Sequence, residues 1–407
     1  MSGFGQRQVA PSAFIAILIA VSALNPIAVN MFVPAMPDIM RGLGTDQAGV
    51  QLVLSAYLFA TAGSQLVLGP LSDRFGRRPV LLAGLAAFIA ATIACATADS
   101  ITILVVARIA QGAGGCVGIV LGRAMIRDRY DRDDAASMLG YVTMGFAMAP
   151  MVGPVIGGVL NDTFGWRSIF ALQTGLGIAV AIACFLFLPE TNLPTDRSES
   201  RQTFRHGFMT LVRIPQFWAY ALACAFGTSV FFSFLGGTPF VAVDMLGMTG
   251  TEYGLYFILV PGGFLIGNFL TARYSRRTGI FFMILAGSTV TFVAVLGMAM
   301  AFLAGWYHPL ALFVPMYAIG FANGLTLANA LAGAVSVRPE LAGAASGMAG
   351  SMQIGFGAIA TVLIGALLAA THSVFPLTIC MGVLALSGIV AAMWTRTARD
   401  QSREHSL

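Results

Sequence analysis

Asp73-Arg74-Phe75-Gly76-Arg77-Arg78 joins two uncharged runs, residues 47–72 and 79–98. Each run is long enough to cross the roughly 30 Å hydrocarbon core of a bilayer as a helix. Three arginines in so short a connection hold it on the cytoplasmic side, and Gly76 with Pro79 shapes the turn. The segment reads as the inner end of a hairpin of membrane helices.

Working outward, the same pattern continues along the chain. Apolar runs cover 12–37, 100–125 (interrupted by Arg108 and Arg123), 135–161, 168–189, 214–243 and 253–272. Two more, 278–337 and 341–395, are too long for single spans, and each has a polar dip, at Trp306-Tyr307-His308-Pro309 and at Thr371-His372-Ser373. Dividing them there predicts twelve spans. With the N-terminus inside, alternation places eighteen arginines on the inner side and only Arg41 and Arg167 outside, so both termini are expected in the cytoplasm.

Composition excludes the other broad classes. The 407 residues are 57% hydrophobic and 10% charged, where a soluble chain has about a quarter of its residues charged. The net charge of +5 comes from arginines in short clusters between apolar runs, not from one basic face, so no nucleic-acid partner is expected. Cys95, Cys116, Cys184, Cys224 and Cys380 each sit inside an apolar run without a second cysteine or a histidine at ligand spacing. They read as small core residues, and neither a metal nor a cofactor is expected.

The chain is also a repeat. The polar stretch from Pro189 to Arg213 falls near the midpoint, which predicts an N-terminal six-helix half at 1–188, a cytoplasmic linker at 189–214 and a C-terminal half at 215–407. Arg74-Phe75-Gly76-Arg77-Arg78 recurs 199 residues later as Arg273-Tyr274-Ser275-Arg276-Arg277, and Ala135-Ala136-Ser137 recurs as Ala344-Ala345-Ser346. The expected fold is an all-α membrane protein of twelve transmembrane helices in two pseudo-symmetric halves. Duplicated halves with a binding site between them near the midplane are a transporter architecture.

The stretch Gly69-Pro70-Leu71-Ser72-Asp73-Arg74-Phe75-Gly76-Arg77-Arg78-Pro79 resembles the loop 2–3 signature of the major facilitator superfamily. Arg108-Ile109-Ala110-Gln111-Gly112-Ala113-Gly114 resembles its span 4 motif, and Gly153-Pro154-Val155-Ile156-Gly157-Gly158 its antiporter motif. Arg123 to Asp128 and Ala342 to Gly347 further resemble the bicyclomycin/chloramphenicol-resistance branch of drug:proton antiporters. The resemblance implies a protein of a bacterial inner membrane that exports drug-like compounds in exchange for protons, and a monomer is expected. A carrier for an endogenous metabolite would show the same features.

Individual residues carry separate expectations. In the gating loop of Gly69, Asp73, Arg74, Gly76, Arg77 and Arg78, the resemblance makes Asp73 a latch that helps close the cytoplasmic side. In span 5, Gly145, Ala149, Gly153 and Gly157 recur every fourth residue, Gly158 adjoins them, and Pro150 and Pro154 bend the helix. This stripe is expected to be a surface on which the halves move. Arg108 is the one charge well inside a span, so it should face a cavity and find acceptors, with Gln111, Asn25 and Asn30 as candidate neighbours.

Further candidates for a substrate cavity are uncharged: Tyr57, Gln65, Asn268, Asn323, Asn329 and Gln353. Related antiporters carry an acid in span 1 where this chain has Asn30, which cannot titrate. A cavity with Arg108 and no compensating carboxylate predicts a preference for neutral or anionic substrates over permanent cations, with neutral ones preferred. With no deep carboxylate, histidine pair or cysteine–histidine pair, the spans do not suggest an enzyme.

Overall fold

In a computed structural model, which describes residues 11–130, 132–192, 208–338, 341–371 and 373–404, the chain forms twelve long helices. The first six are α1 (Ser12–Gly42), α2 (Gln47–Phe75), α3 (Arg77–Ala96), α4 (Ile101–Arg129), α5 (Arg132–Phe164) and α6 (Arg167–Phe187). The second six are α7 (Pro215–Met245), α8 (Gly250–Thr278), α9 (Ile280–Leu303), α10 (Pro309–Ser336), α11 (Ala342–Thr371) and α12 (Phe375–Glu404). The two long apolar runs divide where their polar dips fall, with His308 capping α10 through its ring nitrogen. Residues 193–207 of the expected linker lie outside the described residues.

Helix pairings in the first half recur in the second. The contacts α1–α5, α2–α4, α3–α4 and α3–α6 are matched by α7–α11, α8–α10, α9–α10 and α9–α12. Glycines that allow the close approaches are matched as well. Gly112 of α4 packs on the backbone of Tyr57, and Gly320 of α10 packs on the backbone of Val260. Ser100 and His308 cap the two helices in nearly the same backbone conformation, also 208 residues apart.

The repeat register differs from the one expected at the arginine loops. Gly76 ends α2 with φ +99°, and the residue in its place in the second half is Gly279, φ +85°, 203 residues on. Each amide bonds to the carbonyl four residues back, Ser72 and Ser275. Arg276, not Ala272, therefore stands where Asp73 stands in the first half. Matching the arginine strings put the repeat one helical turn out, because a string of like residues on a helix end slides by a turn at little cost in similarity.

Large apolar side chains cover the outside of the bundle. Val106, Phe185, Phe269, Met300 and Val390 are each more than 60% exposed, on five different helices. Contiguous apolar surface on this scale is disfavoured in water and is matched by lipid. The protein is a multi-pass membrane protein.

Candidate functional site

We call the end of the bundle that holds Gly76 and Gly279 the terminal face, and the opposite end the distal face. Two places concentrate the polar chemistry: a buried cluster inside the first half, and the contact between the halves.

The buried cluster centres on Arg108 of α4, which has no exposed surface. Its Nη1 donates to Gln111 Oε1 at 2.6 Å and to the Ala28 carbonyl at 3.4 Å. The guanidinium carbon lies 4.6 Å from the Phe32 ring centre and 4.2 Å from that of Tyr57. Gln111 Nε2 donates onward to Thr92 Oγ1 of α3 and Gln173 Oε1 of α6. On the other side Tyr57 donates to the Asn25 carbonyl at 3.1 Å, and Asn25 Nδ2 donates to Thr61 at 3.3 Å.

Burying such a cation costs several kcal/mol even after relaxation. Hydrogen bonds to a charged group return about 1.5–3 kcal/mol each, and a desolvated cation–π contact about 2 kcal/mol. The four contacts offset much of the cost. Arg108 is held inside the first half, among α1, α2, α3, α4 and α6, whereas it was expected to face a cavity. The second half has Met316 at the equivalent position, also fully buried, so the packing of this core does not itself require a charge.

The remaining candidates divide into groups. Arg108, Gln111, Asn25 and Tyr57 are together. Asn30 lies on another side of α1, donates to the Pro26 carbonyl at 2.8 Å, and packs against Gly153 of α5. In the second half Gln353 Nε2 donates to Thr228 Oγ1 at 2.7 Å, and Asn323 approaches the adjoining Gly227. Asn329 bonds instead to Thr271 and Ser275 of α8, and Asn268 to the Phe264 carbonyl of its own helix.

At mid-depth the halves meet through α2 and α11. Ser351 donates to the Ala62 carbonyl at 2.9 Å, and Gln65 lies against Gly350. Beside them Phe226 and Phe356 form an edge-on pair 5.8 Å apart, both half-buried. This wall combines aromatic surface with the uncharged polar groups of Gln65, Ser351, Gln353 and Thr228. Among the described residues it contains no carboxylate.

The distal face is shut. Gly158 of α5 packs on the backbone of Gly250 of α8, and Gly254 of α8 would place a Cβ 2.6 Å from the Pro154 carbonyl oxygen. Asp162 accepts from the Thr251 amide at 2.8 Å and its hydroxyl at 2.6 Å, setting a carboxylate at the N-terminus of α8. Arg41 bridges Asp38 of its own helix at 2.8 Å and Asp244 of α7 at 3.9 Å, while Asn161 donates to Asp38. Gln51 of α2 donates to the Gly236 carbonyl of α7.

The antiporter stripe thus has two sides. Gly153 and Gly157 pack on Asn30 and Met31 of α1 in the same half, and among the described residues of the stripe it is the turn of Pro154 and Gly158 that meets the other half. Ala149 is buried, Pro150 is half-buried, and the surroundings of Gly145 lie outside the described residues.

At the terminal face the gating loop is tied within the first half. Asp73 pairs with Arg77, whose Nε also reaches Asp128 at 3.0 Å and whose Nη1 reaches Ser72 at 2.6 Å. Glu190 accepts from the amides of Arg77 and Arg78 at 2.9 and 3.1 Å, capping α3 from beyond the end of α6. A Cβ on Gly76 would stand 2.7 Å from that carboxylate, which adds to the constraint of its positive φ. Arg78 donates to the Phe185 carbonyl, Arg74 lies over Phe75, and Gly69 has open space around it.

The sequence reading passed over Glu190, Thr92, Gln173, Thr228, Ser351, Asp162 and the pair Gly250 and Gly254. Only the last pair carries a local signal, small residues four apart at the start of a span.

Residues 18–360 match the family profile described as Major Facilitator Superfamily. Among curated relatives, a bicyclomycin resistance protein homolog of Haemophilus influenzae is 26% identical over 96% of this chain and 98% of its own. Multidrug resistance protein D of Escherichia coli is 31% identical over 85% of this chain and 86% of its own. A solved D-xylose-proton symporter superposes with a TM-score of 0.76 at 14% identity, covering 94% of this chain and 97% of that one.

Proposed function

The chain belongs to the major facilitator superfamily, and from that premise we propose that it exports neutral, amphipathic, drug-like molecules from the cytoplasm by alternating access. The single observation that carries this reading is the interface itself. Its halves are sealed at the distal face by α5 against α8, and they present an aromatic, uncharged polar wall at mid-depth. Such a wall binds apolar molecules through area and orients them through a few hydrogen bonds. The names of the relatives, multidrug and bicyclomycin resistance, are in keeping with it.

In this proposal residues 1–188 and 215–407 move as two halves, with 189–214 as their linker. The termini are cytoplasmic, on the arginine asymmetry, so the state described is closed to the outside. A cysteine in place of the exposed Met245, in a background lacking the five native cysteines, is expected to react with a membrane-impermeant maleimide added outside intact spheroplasts. Reaction only after the membrane is opened would reverse the orientation.

Substrate charge follows from what lines the wall. A permanent cation entering it meets no carboxylate among the described residues, and it loses hydration without gaining a partner. Expression in a pump-deleted host is expected to raise resistance to a neutral phenicol severalfold and to leave sensitivity to a quaternary-ammonium dye unchanged. Strong dye efflux would refute the charge preference, and equal phenicol sensitivity with and without the protein would count against phenicol export. Protons are the proposed exchange partner, and phenicol efflux that persists after collapse of the proton gradient would remove them from the account.

A further inference from the structure

The polar network around Arg108 has too many donors. Nε and Nη2 of Arg108 and Nε2 of Gln173 are buried and have no protein acceptor, and neither side chain is more than 1% exposed. Gln111 Oε1 accepts from Arg108 Nη1 and Gln173 Oε1 accepts from Gln111, and neither oxygen takes a bond from the unpartnered Nε and Nη2. The orphan acceptor of α1, Asn30 Oδ1, belongs to a residue packed against α5, on another side of that helix. The ion pairs recorded for the described residues join Arg41 and Arg77 to aspartates, and none includes Arg108.

An uncompensated cation with two free N–H-bearing nitrogens, flanked by aromatic rings, is a receptor for a small anion. We infer that Arg108 binds a chloride-sized monovalent anion inside the first half, held along the Nε and Nη2 edge of the guanidinium. Water would satisfy the donors but would leave the positive charge uncompensated, which selects the anion. The second half makes the contrast internally, since Met316 fills the equivalent position with no charge to balance. The site is enclosed in this state. This inference is independent of what the interface between the halves carries.

The test is thermal unfolding of the purified full-length protein in sodium gluconate, titrated with sodium chloride at constant ionic strength. Wild type is expected to gain about 3–5 °C in Tm at chloride a hundredfold above its dissociation constant, saturably, with bromide able to replace chloride. Arg108→Met, which copies the second half, is expected to show no such gain. Equal melting of wild type in the two salts, or an undiminished chloride gain in Arg108→Met, would overturn the assignment. Should Arg108→Met not fold, crystals of the wild type grown in sodium bromide decide the matter. An anomalous peak beside Nε and Nη2 supports the site, and ordinary water density there with no anomalous signal refutes it.

Discussion

Gly158→Leu is expected to yield a folded, monodisperse protein that does not transport. The glycine has the backbone of Gly250 and Thr251 against it, and no flexible side chain is there to give way. A leucine must therefore push α5 from α8 at the distal face. The cost falls on the contact between the halves and leaves the packing inside each half intact. Overpacking of this kind costs about 1–3 kcal/mol, occasionally more. Applied to one end of a two-state cycle, it shifts the population of the distally closed state by about fivefold to more than a hundredfold. Phenicol resistance at the wild-type level in cells expressing Gly158→Leu would show that this contact is not part of the cycle.

Gly157→Leu, one residue away, is expected to fail differently. Its Cβ direction meets the carbonyl and Cα of Met31, so the leucine would part α5 from α1 within one half. That contact continues at Gly153, where a Cβ would come 2.8 Å from the Asn30 Cβ. The expected outcome is loss of folded protein, read as a broad aggregated peak in detergent size-exclusion chromatography. A monodisperse Gly157→Leu protein would mean that α1 yields at this point, and the division of the stripe into two sides would have to be given up.

These adjacent glycines show where sequence stops informing on structure. Spacing by four identified Gly153 and Gly157 as a surface for close helix approach, and it is one. Which helix approaches depends on the rotation of α5 in the bundle, and one residue turns the face by about 100°. The twelve spans were legible because charge is so costly in lipid that its absence over 20 residues is a strong signal. Arg108 was legible as a buried charge needing acceptors for the same reason. Its actual surroundings, Thr92 of α3 and Gln173 of α6, come from helices whose polar residues looked unremarkable one at a time. Glu190 was hidden by its position, in a polar stretch taken as linker, although its carboxylate caps α3.

Alternating access requires the halves to separate at the distal face in each cycle. Asp162→Cys with Thr251→Cys, in a background without native cysteines, places two thiols where a carboxylate and a hydroxyl now lie 2.6 Å apart. The direct measurement is phenicol transport by this double variant in proteoliposomes, before oxidation, after it and after reduction. Transport is expected to be present in the reduced protein, to be lost on formation of the disulfide, and to return when the disulfide is reduced. Undiminished transport with the disulfide formed in nearly all molecules would contradict alternating access through the α5–α8 contact.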